Sequence, residues 1–188
     1  ISTDIAYQLG SSVFGRLRKP KINFFQTWCG NRLAKSLIRP GKTNYPFTTD
    51  LADNLNGVLD KYEPDFIEMY DCLSDLPSAL SRLEKTGVVS KETASSLGLV
   101  GMAAKASGFR RDIRASHPQG WFTAISHDPV IKRHGDVFSR TQMRKEEIVQ
   151  SMAYVRNYIN NEKHIACEEE KMGTPKPDSF AISLKEGW

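Results

Sequence analysis

Between Leu51 and Leu73 the apolar residues Leu51, Leu55, Val58, Leu59, Tyr62, Phe66, Met69, Tyr70 and Leu73 recur mostly three and four positions apart. That spacing lines one side of an α-helix and does not fit a strand, whose sides alternate with period two. A helix of this length must bury its stripe against another element, so the chain is constrained to pack helices on one another. Thr48 or Thr49 is placed to cap its start. Pro64 lies inside the stripe and removes a backbone donor, which predicts a kink or break there.

A second long helix is predicted from about Asp136 to Glu162, with Val137, Ile148, Met152, Val155 and Ile159 in one narrow core-facing sector. Asp136, Arg140, Arg144, Glu147 and Ser151 fall in an adjacent sector, which Tyr154 and Tyr158 extend. Asp136–Arg140 and Arg140–Arg144 are i, i+4 pairs and Arg144–Glu147 is an i, i+3 pair, so an ion ladder is predicted along this face. Solvated, each link contributes only about 0.3–0.5 kcal/mol. Covered, the ladder must be fully paired, because an abandoned buried charge costs about 3–5 kcal/mol. The pattern allows either state.

Further helices are expected over residues 3–18, stopped by Lys19-Pro20, and over 21–36, with Ile22, Phe25, Cys29, Leu33 and Leu37 on one side and Arg39-Pro40-Gly41 after them. Short helices follow over 78–85, stopped by Gly87, and 90–97, with Ser90 as N-cap. Residues 121–131 read as an extended connection, 168–177 as a charged tail, and 180–184 as one short strand. The expected fold is mainly α, a long-helix bundle with a few short β-strands. Residues 1–188 form one helical domain in this reading, with a helical body over 1–162 and a charged linker and short strand over 163–188.

Composition narrows the chemistry. A chain of 188 residues buries roughly 70% of its unfolded surface. Its 26 basic residues face 22 acidic ones, with no block of excess charge, which argues against a nucleic-acid binder. Cys29, Cys72 and Cys167 form no C-x-x-C pair, so close-spaced zinc or iron–sulfur ligation is excluded, and the odd count fits a reducing compartment. His117, His127, His134 and His164 have no helical i, i+4 partner, and no metal site is predicted from them. No apolar run approaches the roughly 20 residues of a membrane-spanning helix.

The stretch Gly98 to Pro118 carries most of the remaining information. Gly98, Gly101, Gly108 and the small residues among them allow close backbone approach, and the segment then runs into Arg110, Arg111, Asp112, Arg114 and His117. On residue chemistry this is either a crowded helix junction followed by a solvated basic loop, or the edge of a site. His117 with Asp112 as an acid–base pair of a free-standing enzyme is disfavoured by their i, i+5 spacing and by the lack of a Ser or Cys nucleophile in an obvious elbow.

Together, the Leu-Gly-Leu-Val-Gly run ending at Gly101, Ala106-Ser107-Gly108, Arg111-Asp112-Ile113-Arg114, His117-Pro118, Gly135-Asp136, and Arg140, Arg144, Glu147 and Ser151 down one helix form a pattern, and the tail Ser183–Trp188 fits its order. It resembles the large catalytic subunit of group 4 energy-converting nickel–iron hydrogenases, which is similar to the 49-kilodalton subunit of respiratory complex I. The resemblance covers nearly the whole chain and only the central part of that subunit. It implies a nickel–iron hydrogenase large-subunit-like fold and a structural core fragment of a membrane-associated oxidoreductase of the hydrogenase or NADH:quinone oxidoreductase family.

For the full-length parent the resemblance implies electron transfer at a nickel–iron centre or a quinone, in a complex that oxidises NADH or makes hydrogen. For this chain it implies no cofactor, no catalytic residue and no activity in isolation, since the family's two cysteine motifs are missing. Arg111, Asp112, Arg114, His117, Asp136, Arg140, Arg144, Glu147 and Ser151 are the implied structural ion network, and Lys105 and Phe109 are assigned no role. The implied partners are an iron–sulfur small subunit and the other subunits of a membrane-bound complex, at the cytoplasmic face of the cell membrane, with no nucleic acid. Self-association of the isolated piece is expected through the apolar surface a partner would cover. The competing reading is a non-enzymatic interaction module or basic nucleic-acid-binding domain built on Arg110, Arg111 and Arg114.

Overall fold

The computed structural model describes residues 1–162, 165–167, 169–171, 173, 174 and 176–187; His164, Glu168 and Trp188, named above, lie outside these. In chain order the elements are α1 (Gln8–Cys29), β1 (Ile38–Arg39), β2 (Lys42–Thr43), α2 (Thr49–Ser74), α3 (Pro77–Leu83), α4 (Lys91–Ser96), α5 (Gly101–Ala106), α6 (Ile113–Ser116), a 3-10 turn (Gly120–Thr123) and α7 (Val137–Asn161). The architecture is mainly α, and β1 and β2 form a small antiparallel ribbon with Ile38 opposite Thr43 and Arg39 opposite Lys42. The chain divides into two compact units. One holds residues 74–148, Ile1 and the segment from Phe180 onward; the other holds 2–73 and 149–179. The first half of α7 belongs to one unit and the second half to the other.

In the unit of residues 2–73 and 149–179, Phe24, Phe47, Ala52 and Ile159 form a buried cluster, with Trp28, Leu51, Leu55 and Tyr158 packed on it. Trp28 meets Phe47 edge-on at 5.1 Å and donates its indole N–H to the Pro46 carbonyl at 3.0 Å, so the ring is packed without orphaning its polar atom. Both long helices of this unit continue past a proline. Pro20, expected to stop a helix, lies inside α1, and α2 continues past Pro64 without a break. Each proline is exposed. The carbonyl four residues back then loses its partner on a wet face, where water replaces it, while buried residues on either side, Leu17 and Phe24 or Tyr62 and Phe66, hold the helix together.

The other corrections have similar local causes. Helix α1 ends at Gly30, which adopts φ 70° and donates its N–H to the Gln26 carbonyl, so Leu33 falls outside the helix and is 65% exposed. Residues 121–131 begin with the 3-10 turn and are otherwise irregular. Phe180, Ile182 and Leu184 alternate as a strand would, yet no described neighbouring strand pairs with them and all three are exposed. Val155, assigned to the core face of the second long helix, is 38% exposed, and Met143, outside that sector, is fully buried.

In the unit of residues 74–148 and 180–187 several buried side chains are alanines. Ala79, Ala94, Ala104 and Ala106 are buried together with Leu83 and Met143. Ser90 caps α4 by accepting the Thr93 N–H at 3.1 Å. A corner at Gly135-Asp136 stitches three segments together. The Gly135 N–H reaches the Ala106 carbonyl, its own carbonyl accepts the Val89 N–H, and the Asp136 carboxylate accepts the N–H groups of Ser139 at 2.7 Å and Lys85 at 2.9 Å. Asp136 therefore opens α7 as its N-cap, and these backbone donors outweigh its burial and hold its carboxyl below the usual range. The Gly135 bond to Ala106 brings this corner to the C-terminal end of α5.

Candidate functional site

Lysine at position 105 sits near the end of α5 with a side chain 2% exposed. An ammonium removed from water must be compensated, and three carboxylates from three segments supply this. Glu147 of α7 lies 2.6 Å from Lys105 Nζ, Asp112 at the start of α6 lies 3.2 Å away, and Glu186 of the tail lies 3.3 Å away. Asp112 is fully buried and is the hub. Arg114 grips it in a fork, Nε to Oδ1 at 2.9 Å and Nη2 to Oδ2 at 2.6 Å, while the Arg114 backbone N–H adds a bond to Oδ1 at 3.0 Å. His127, also buried, lies with Nε2 at 3.0 Å from Oδ2. An ionised carboxylate only accepts, so His127 donates from Nε2.

Burial opposes the charge on Asp112, but the bonds from Arg114 and His127 prevail and hold its carboxyl far below the usual carboxylate range. Burial likewise pulls the Lys105 ammonium down, while Glu147 and Asp112 hold it above its ordinary value. Arg114 is raised by its bond to Asp112. Glu186 ties the tail in: Oε2 accepts the Ile113 N–H at 2.8 Å, and Oε1 is buried with no hydrogen bond of its own. Next to it, a side chain on Gly187 would collide with Val100, so the tail lies tight against the start of α5. The centre is thus a cross-tie between α5, α6, α7 and the tail.

A test in acid follows from the Asp112 shift. A carboxyl held below its unfolded value, about 3.9, contributes stability above that pH and loses it as the pH falls through the folded value. The urea midpoint of the wild-type chain is expected to drop below about pH 4. Asp112→Asn, with a lower midpoint at pH 7, should show a shallower drop over the same interval. Equal slopes would mean that Asp112 is not held ionised by its neighbours.

Of the residues expected to form one ionic network, the structure brings together Asp112, Arg114 and Glu147. The others lie elsewhere. Arg111 stacks on Phe109 at 4.6 Å and reaches the Leu99 carbonyl. His117 is exposed, its Nδ1 3.0 Å from Ser116 Oγ. The ladder along the second long helix does not form. Asp136 is occupied by backbone N–H groups, Arg140 donates to the carbonyls of Gly135 and Gly87, Arg144 donates to the Arg140 carbonyl, and Ser151 is exposed. Backbone carbonyls at the Gly87 and Gly135 turns compete successfully with a carboxylate for Arg140. Glu147 then turns to Lys105, with Arg114 at 3.8 Å.

Lys105, His127 and Glu186 escape the sequence reading of the network. Lys105 gives no local signal, because a lysine among small residues is ordinarily exposed. His127 and Glu186 come from irregular segments that carry no periodic signal. The three arginines read as a basic patch are each engaged, Arg110 with Asp128 at 2.6 Å, Arg111 with Phe109 and Arg114 with Asp112.

Among the described residues no three His, Cys, Asp or Glu side chains are placed to hold one metal ion. In the centre around Asp112 the Lys105 ammonium fills the space between the carboxylates. Cys29 is buried with its thiol donating to the Phe25 carbonyl, and Cys72 and Cys167 are exposed. These residues do not fit a nickel–iron centre, which needs a convergent set of thiolates. No described helix is long and apolar enough to cross a membrane.

The chain is mainly α, and its unit of residues 74–148 and 180–187 is cross-tied by a buried ionic centre. Over residues 7–186 it matches the family described as the respiratory-chain NADH dehydrogenase 49 kDa subunit, and it belongs to that family. It is 26% identical over 187 residues to a subunit of the NADH-quinone oxidoreductase of Acidiphilium cryptum, covering 98% of this chain and 46% of that one. It is 27% identical over 146 residues to a subunit of the same kind of enzyme from Phocaeicola vulgatus, covering 78% and 28%. With the carbon monoxide-induced hydrogenase of Rhodospirillum rubrum the figure is 29% over 133 residues, 70% and 37% covered. The chain therefore spans less than half the length of these relatives.

Proposed function

We propose that this chain is a load-carrying helical scaffold within an electron-transferring subunit of a membrane-associated oxidoreductase, and that the electrons of the assembled complex pass from NADH to a quinone. Membership of the 49 kDa subunit family supports this reading, as do relatives named for NADH–quinone oxidoreduction. The observation that carries the scaffold role is Lys105. One ammonium with three carboxylates ties four segments at a single buried point, an arrangement that fixes the segments relative to one another.

The residues of this centre hold geometry, and the redox chemistry is assigned to groups outside them. An iron–sulfur subunit is the proposed neighbour, and the complex is peripheral to the membrane in this part. Deleting the gene in its host and assaying membranes for NADH-driven quinone reduction and for hydrogen evolution tests the reading. Loss of quinone reduction, restored by the wild-type gene, is expected. Unchanged quinone reduction, or loss of hydrogen evolution alone, would overturn it.

A further inference from the structure

At the C-terminal end of α1, within the unit of residues 2–73 and 149–179, a cleft of about 510 Å³ is lined by residues that include Arg18, Gln26, Asn31, Arg32, Leu33 and Lys35. Arg18, Arg32 and Lys35 are exposed. None of the three forms an ion pair with a described residue, in contrast to Arg16 nearby in sequence, which holds Asp65 at 2.7 Å. Leu33 is 65% exposed beside them.

The loop that presents Arg32, Leu33 and Lys35 beside Arg18 of α1 is fixed. Asn31 Oδ1 accepts the N–H groups of Leu33 at 2.9 Å and Lys35 at 3.3 Å, and Gln26 donates to the Gly30 carbonyl at 3.1 Å. Ala34 and Ser36 both sit at positive φ, 55° and 72°, a conformation that L-residues with a Cβ adopt only against steric resistance. The loop thereby holds an exposed leucine beside cations that line the same cleft.

We propose that this cleft is a docking surface for a carboxylate-bearing face of a neighbouring subunit, with Leu33 as the apolar anchor and Arg18, Arg32 and Lys35 as the cationic rim. The inference rests on the reading of the chain as part of a multi-subunit oxidoreductase. An apolar residue ringed by charge is the anchor-and-rim pattern of protein interfaces, in which rim charges select the partner and steer its approach. A nucleic acid would ask for a longer basic track with stacking aromatics. A lipid surface would ask for an apolar face broader than one leucine.

The test places the photo-crosslinker p-benzoylphenylalanine at Leu33 of the full chain in its own host, irradiates intact membranes, separates native complexes and sequences the crosslinked peptides. The expected product is a peptide of a different subunit, with Asp or Glu beside an apolar stretch. The combined variant Arg18→Glu, Arg32→Glu, Lys35→Glu, all at exposed positions, should lower the crosslink yield by about tenfold or more. A complex that contains the chain while Leu33 crosslinks to lipid, to nucleic acid, to a second copy of this chain or to nothing overturns the docking surface and leaves the scaffold reading standing. A chain that never migrates with a larger complex overturns both.

Discussion

Lys105→Met is expected to cost the unit of residues 74–148 and 180–187 about 3–5 kcal/mol, the usual penalty for removing one partner of a buried ion cluster. Methionine nearly reproduces the lysine stem, so packing between Ala104 and Ala106 survives and the loss is electrostatic. Two cations, Lys105 and Arg114, stand against Asp112, Glu147 and Glu186 in the native centre. After the substitution Arg114 alone faces three carboxylates. For a chain of this size the penalty amounts to a fall of roughly 6–20 °C in the thermal midpoint, measured by circular dichroism at pH 7.

Adding Glu147→Gln to Lys105→Met removes one of the stranded charges and should recover part of the loss, with a coupling of about 0.5–3 kcal/mol in the double-mutant cycle. Arg110→Ala, which breaks a pair exposed on both sides, should change stability by less than about 1 kcal/mol. Raising the salt concentration should leave the Lys105→Met deficit nearly intact, because buried pairs are little screened. A deficit as small as that of Arg110→Ala would show that the centre is solvated and that its charges do not hold the segments together.

The long helices are legible in the sequence because their signal is periodic. The stripe from Leu51 to Leu73 forms α2 with ends at Thr49 and Ser74, and the stretch after Asp136 forms α7. Neither Pro20 nor Pro64 interrupts its helix, because a single lost hydrogen bond on a wet face is weak against buried contacts on both sides of it, and sequence spacing does not say which face is wet. The ion ladder fails for a related reason. Helical spacing establishes which side chains could meet, but not which competitors lie across from them, and for Arg140 those are backbone carbonyls at Gly87 and Gly135. The hub of the centre, Asp112 and Arg114, stands in the one segment the sequence marks as unusual. Glu186 joins them from far along the chain, bonding the Ile113 N–H across 73 positions, and long-range partners of that kind leave no local trace.

Gly135→Ala is expected to cost about 2–5 kcal/mol although it adds a single methyl group, the sum of a conformational and a packing penalty. Gly135 sits at φ 66°, where a Cβ is disfavoured by about 1–2 kcal/mol. A Cβ there would also lie 2.1 Å from the Val89 carbonyl oxygen and 3.0 Å from its carbon, so backbone must move, at roughly 1–3 kcal/mol for overpacking. The movement opens the corner whose N–H reaches Ala106, whose carbonyl accepts from Val89 and Arg140, and whose next residue caps α7. Gly98→Ala separates the two causes. Gly98 has nearly the same φ, 63°, and a Cβ added to it would meet nothing within 4 Å, so only the conformational part of the cost applies. Urea unfolding of the two variants should differ by the clash alone, and amide exchange at Val89 should accelerate in Gly135→Ala and not in Gly98→Ala. Equal losses would mean that the close approach of residues 89 and 135 relaxes freely, and the corner would then be no constraint on where α7 begins.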